Sequence, residues 1–379
     1  MRAEALAAVL SQLEGFEAPA AAWEAELLPS RVSDYSMPWL DDLCTAGRTI
    51  WTRLRPPTAS AGGAGDGAAA GGSLSLRAAP LLLLPRKHLA PWVRLAPAVD
   101  PQQGDVSARG RRVLSFLAEH GASFFDEMAD GTHLLRTELE DALGELVSQG
   151  RVHCDSFAGV RSLLVPASRR SQPAGRRRRG VLMSGVQDAG RWALVKRAAH
   201  ATAAPPPPDA VEHAARTLLR RYGVICWRLL EREAPWLPPW RDLVRVYQRL
   251  EARGEIRGGR FIAGLSGEQF ALPEAIATLR QIRRRAATGQ WTCVAATDPC
   301  NLLGSLLPGT KVPRVTGSRV LYLDGVPVGT LVAGRVDWLQ ELNPADQVHG
   351  RNLLVRGPGF LPIDPASRAG TVSGTAPSA

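Results

Sequence analysis

Residues 205–276 constrain the fold more than any other stretch, because they hold every part of a small module in order. Four prolines precede Asp209, which reads as a cap, and a helix follows to about Tyr222. A short second helix to Glu233, a third from Pro238 to Arg253 and then a hairpin complete the module. Three helices followed by a β-hairpin is the winged-helix order. In the third helix Leu243, Val246, Tyr247 and Leu250 share one face, whereas Arg241, Arg245 and Arg249 recur every four residues on another. The hairpin segment GEIRGGRFIAG offers a Gly-Gly turn flanked by Arg257 and Arg260, placing two guanidiniums near its tip. These arginines have two readings: the solvated face of an ordinary amphipathic helix, or a surface for phosphates. Residues 205–288 carry 15 Arg against 9 Asp+Glu, and helix and wing agree in sign, which favours the second.

A chain of 379 residues suggests two to four domains. The net charge of +10 points to an anionic partner, nucleic acid before membrane surface. Residues 1–57 have 5 Lys+Arg against 8 Asp+Glu, while 166–200 have 9 against 1, so anion binding is expected in the middle and later parts. The five cysteines are scattered and include no CxxC, which supports neither a disulfide framework nor a zinc site and suggests a reduced, cytoplasmic protein. No signal peptide is visible, and the apolar run at 78–85 is too short to span a bilayer.

The expected fold class is α+β: tandem winged-helix modules followed by a small β-barrel-like domain. Residues 1–108 form a first module with a helix carrying Leu6, Val9, Leu10 and Leu13, a helix Pro38–Ala46, a strand Thr49–Leu54, a low-complexity loop Thr58–Ser73, and strand material near 78–85. Residues 109–166 repeat the grammar, ending in a hairpin drawn from RVHCDSFAGVRSLLVP. Their third helix carries Glu138, Glu140, Asp141 and Glu145, which suits packing or homo-oligomer contact better than DNA. Residues 167–204 read as a linker with Arg176–Arg179 in a row and a strand in GRWALVKR. The basic module spans 205–288, the barrel-like domain 289–362 with a hairpin at Asp324-Gly325, and a disordered tail 363–379.

No GxxxxGK[ST], GxSxG, HExxH or strand–turn–helix GxGxxG occurs. The seven histidines are dispersed and none pairs at metal-ligand spacing, so no metal or cofactor is expected.

The strings WEAELLPSRVSDYSMPWLDDLCTAGRTIWTRL, WLPPWRDLVRVYQRLEARGEIRGGRFIAGLSGEQFALPEAI and ATDPCNLLG…GSRVLYLDGVPV resemble the C-terminal domain of Lhr (large helicase-related) superfamily 2 DNA helicases. The resemblance implies an array of winged helices followed by a β-barrel, a role in DNA repair, and DNA, single-stranded or forked, as partner. In that family the motor lies N-terminal to this region. The chain is therefore expected to be a fragment, a split product or an excised domain beside a separate motor, without ATP binding of its own.

The architecture is also similar to the AlkZ/YcaQ DNA glycosylases, and the Lhr C-terminal domain has been linked to uracil-DNA glycosylase activity. Those glycosylases carry a Gln-apolar-Gln or Gln-apolar-Asp motif early in the chain, which Gln12-Leu13-Glu14 resembles, with Glu in the last position as a departure. The resemblance implies that Glu14 assists a water and Gln12 holds it. The alternative is that both are exposed residues at a helix end before Gly15. GRVDWL resembles a barrel motif of the same enzymes, which makes Asp337 a second candidate carboxylate, or else an ordinary hairpin residue.

Overall fold

The computed structural model describes residues 2–55, 75–97, 106–165, 185–195 and 206–358. The low-complexity loop at 58–73, the Arg176–Arg179 run and the 363–379 tail lie outside them. The chain forms two compact units: Met1–Ala21 with Ser36–Pro273, and Ala22–Tyr35 with the chain from Glu274 onward.

Among the described residues, the first unit holds three groups of helices, each beside a small antiparallel sheet, taken below as modules. In the basic one, the helix Pro208–Tyr222 starts on prolines and stops at Gly223, whose φ of 70° suits glycine. A 3-10 segment Trp227–Arg232 and the helix Trp240–Ala252 follow, in the expected order. Leu243, Val246, Tyr247 and Leu250 are buried, and the Tyr247 hydroxyl donates to the Ala215 carbonyl at 3.2 Å, joining the two long helices. Strands β6 (Val224–Ile225), β7 (Arg257–Gly258) and β8 (Phe270–Ala271) pair in the order β6-β8-β7.

Two details of this module differ from the sequence reading. Pro207 takes the cap position, and the Asp209 carboxylate instead accepts from Arg94 at 3.2 Å. Gly258 lies inside β7, so the Gly-Gly pair is not the hairpin turn; the connection is the longer loop to Gln269. Gln269 is buried and organises that loop: its Oε1 accepts from the Phe261 and Ile262 amides at 2.9 and 2.8 Å, and its Nε2 donates to the Leu265 carbonyl at 3.2 Å.

In the first module the helices Arg2–Gln12 and Met37–Thr45 accompany strands β1 (Ala18–Pro19), β2 (Thr49–Thr52) and β3 (Pro80–Pro85), paired β1-β3-β2. Leu81 to Leu84 are all buried, as a strand covered on both faces requires. The second module has the helices Ala108–His120, Phe125–Thr132 and Arg136–Ser148. The hairpin expected within 151–166 is absent: β4 (Val152–Cys154) pairs with β5 (Trp192–Leu194), and Ala158–Leu164 is helical. Asp41 explains the difference, accepting from the Ala158 amide at 2.8 Å and Arg161 at 3.0 Å. It satisfies the amide at that helix start from more than a hundred residues away in sequence.

The second unit is an antiparallel meander of β9 (Trp291–Ala295), β10 (Arg319–Leu323), β11 (Val326–Val332) and β12 (Arg335–Trp338). Asp324 and Gly325 form the tight turn with φ of 48° and 82°. Among the described residues β9 and β12 remain edges, so the sheet is open and the barrel-like closure is not seen. The helix Pro344–Arg356 instead covers the sheet, with Leu354 buried beside Leu321 and Val328. Residues Ala22–Tyr35, read from sequence as part of the first module, pack here. Buried Glu26 accepts from the Gly317 amide at 2.7 Å and Thr297 Oγ1 at 3.2 Å, and Arg31 pairs with Asp298 through both of its terminal nitrogens.

Candidate functional site

The helix Arg2–Gln12 ends in a tight turn, and Glu14 lies in it. Gly15 has a φ of 76°, and a Cβ there would sit 2.3 Å from the Trp92 ring. Only glycine lets the turn lie flat on that indole. Arg221, from the helix Pro208–Tyr222, clamps the turn from the other side: it donates to the carbonyl of Glu14, and through Nε to that of Gln12 at 3.4 Å. Its charge is balanced by Glu233, which also accepts from the Tyr222 hydroxyl at 2.7 Å. Phe16 lies under the guanidinium, 5.3 Å from ring centre to Arg221.

This backbone geometry sends the Glu14 side chain inward, to 0% exposure. Its Oε1 accepts from Trp92 Nε1 at 2.8 Å and His213 Nε2 at 2.6 Å, and its Oε2 from His88 Nδ1 at 2.9 Å. An ionised carboxylate only accepts, so each histidine turns an N–H toward it. Arg220 lies 3.6 Å from Oε2. Burial alone would push the carboxyl upward in pKa, but the hydrogen bonds from His213, Trp92 and His88 outweigh it and hold the group down at about 2. The two imidazoles meet edge to face at 4.8 Å. They wall a cavity of about 330 Å³ with Arg216, Arg220 and Glu255.

The sequence-predicted residues are only partly brought together. Gln12 is exposed on the last turn of its helix whereas Glu14 is buried, so the two do not share one environment. Asp337 belongs to the other unit, on β12, exposed and paired with Arg335 at 3.0 Å. Arg241, Arg245 and Arg249 do form one exposed row on the helix Trp240–Ala252, and Arg257 and Arg260 are exposed in the wing of the same module. Asp242 sits between the first two, 3.8 Å from Arg241 and 3.3 Å from Arg245. His88, Trp92, His213 and Arg221 went unmarked in the sequence, because none is close in the chain to the turn it serves.

Residues 204–291 and residues 1–70 each match the family described as large helicase-related protein, winged-helix domain. The chain carries winged-helix domains of the large helicase-related family. It is 31% identical over 353 residues to the Lhr helicase/uracil glycosylase of Escherichia coli, a match covering 84% of this chain and 21% of that protein. It is 30% identical over 380 residues to the Lhr helicase/probable uracil glycosylase of Mycolicibacterium smegmatis, covering 93% of this chain and 22% of that protein. The chain thus spans about a fifth of the length of the curated relatives it matches.

The Lhr-type matches locate the buried carboxylate within this architecture. One winged-helix domain supplies Glu14 and the other supplies His213, Arg220 and Arg221, while His88 and Trp92 come from the chain between them. The site is therefore a joint between two Lhr-type domains. Among the described residues no helix is long and apolar enough to cross a membrane.

Proposed function

We propose that the chain is a DNA-holding module of the Lhr type that grips the phosphate backbone through Arg241, Arg245, Arg249, Arg257 and Arg260. The observation that carries this reading is the outward face of the helix Trp240–Ala252, where side-chain exposure reaches 81% at Arg241 and 72% at Arg245 while the opposite face is buried. Exposed guanidiniums on a rigid helix act as point contacts to phosphates and release counterions on binding. The acids of the second module suit DNA less well. Two of them are engaged within it, Glu138 pairing with Arg109 at 2.9 Å and Glu145 accepting from Ser107 Oγ at 2.6 Å.

Fluorescence anisotropy over a salt series, with single-stranded, forked and duplex DNA, tests this reading on wild type and the Arg241→Ala/Arg249→Ala double variant. The variant should bind all three more weakly, with the salt slope flattened by about one unit per lost phosphate contact. Unchanged affinity and slope would remove the assignment.

A second reading is a monofunctional glycosylase acting on uracil or an alkylated base. It is favoured by the ionised, buried Glu14 beside a cavity, in a chain similar to relatives whose names include uracil glycosylase. With both oxygens already hydrogen-bonded, Glu14 suits stabilisation of a cationic sugar better than proton abstraction. Single-turnover base release in EDTA, lost in Glu14→Gln while DNA binding persists, is the expected result. No release from either substrate by the wild type would remove this reading.

A further inference from the structure

We propose that Glu14, His88 and His213 form a binding site for a zinc-type divalent cation. The inference is independent of the DNA-holding reading, and it competes with the EDTA-resistant glycosylase for the same carboxylate. One carboxylate and two imidazoles are a donor set that zinc accepts, with the remaining position left to water or a ligand. The three candidate donor atoms all lie within 4.8 Å of one another, and the two Glu14 contacts are 2.6 and 2.9 Å. Zinc bonds of about 2.0–2.1 Å in a tetrahedron place ligand atoms roughly 3.3 Å apart. Both Glu14 contacts, one on each carboxylate oxygen, are shorter than that and no pair of the three donor atoms exceeds 4.8 Å, so side-chain rotation closes the shell.

Access and support agree with the donor set. The carboxylate is buried, but both imidazoles line the cavity, which leaves an entry path and room for a fourth ligand. Trp92 Nε1 donates to Glu14 Oε1 at 2.8 Å and fixes the carboxylate from behind, as outer hydrogen bonds do at metal centres. Binding requires each imidazole to turn a lone pair toward the ion, its proton moving to the far ring nitrogen. No net proton is released if both rings start neutral. The ion replaces two N–H···O contacts with bonds to the same atoms.

Arg220 gives the proposal a signature that simple loss of structure would not. Its guanidinium stands 3.6 Å from Glu14 Oε2, donates to the Thr217 hydroxyl at 3.0 Å and is 45% exposed, so its charge opposes a second cation at the carboxylate. Removing its charge should tighten cation binding, while removing a ligand should weaken it.

The test uses tag-free, EDTA-stripped protein without DNA, titrated with zinc chloride by calorimetry, beside His88→Ala, His213→Ala and Arg220→Gln. One zinc per chain in the wild type, at least tenfold weaker binding in each histidine variant and tighter binding in Arg220→Gln is the expected result. No zinc uptake at micromolar concentration, or uptake equal in wild type and both histidine variants, would overturn the site. Should a histidine variant unfold, the absorption of Co²⁺ bound to the wild type decides: strong four- or five-coordinate bands support the site, and the weak spectrum of the hexa-aqua ion overturns it.

Discussion

The basic face of the helix Trp240–Ala252 and the turn around Glu14 lie in the same unit and are built on opposite principles. The face is local, its three arginines placed by the helical repeat alone, and each stands in water. The turn is assembled from distant parts: the partners of Glu14 are 74, 78 and 199 residues away along the chain. A charged group on the first surface can be lost without disturbing its neighbours. At the turn, each charge holds the next one in place. The same residue type therefore has two settings here, since Arg245 stands exposed and Arg221 is part of the interior.

The largest contrast should appear between those two arginines. Arg221 and Glu233 are a buried pair with side-chain exposures of 2% and 1%, and Arg221 also serves the carbonyl of Glu14. Arg221→Ala leaves a buried carboxylate without its counter-charge, which costs about 3–5 kcal/mol. Urea unfolding should show that loss as a lowered midpoint. A shift of less than about 1 kcal/mol would mean that the two winged-helix domains are not locked through this residue.

Acid should find the turn before the face. The Glu14 carboxyl is held at about 2 against an ordinary value of 4.5, so its contribution is present above about pH 4.5 and is lost as the pH falls toward 2. The difference corresponds to about 3 kcal/mol across that window. In metal-free protein, the wild type should lose more stability between pH 5 and pH 3 than Glu14→Gln does. Parallel curves would show that the hydrogen bonds of His213, Trp92 and His88 do not act on an ionised group.

Gly15→Ala probes the same turn by shape. The left-handed backbone strains any side chain, and the new methyl meets the Trp92 ring at 2.3 Å. A destabilisation of about 1–3 kcal/mol is expected. Stability within experimental error of the wild type would mean that the turn relaxes away from Trp92.

What was legible in the sequence follows the same division. The basic module could be read because its signals are short: prolines before a helix, a glycine after it, leucine and arginine on alternate faces. The Asp324-Gly325 turn was readable for that reason as well. The hairpin expected at 151–166 failed because Asp41 stabilises a helix there from another module. The histidines looked dispersed because linear spacing says nothing of chains that fold back, and two of them meet on one carboxylate. The strings WEAELLPSRV and ATDPCNLLG both carried the family resemblance, and within the second unit they touch through Arg31 and Asp298. Their meeting required the segment Ala22–Tyr35 to leave its sequence neighbours, which no periodicity reveals.

The smallest expected effect on stability belongs to the basic face, and its smallness is what makes it informative. Arg245 is 72% exposed and its ion pair with Asp242 is a solvated contact within one helix. Such pairs contribute about 0.3–0.5 kcal/mol, so Arg245→Ala should leave the unfolding midpoint almost unmoved. If the same substitution weakens DNA binding in low salt and the difference fades in high salt, the side chain acts on phosphates and not on the fold. A variant that is destabilised in step with its loss of binding would instead make Arg245 a structural residue. The division between an exposed face and an interior turn would then fail at its clearest point.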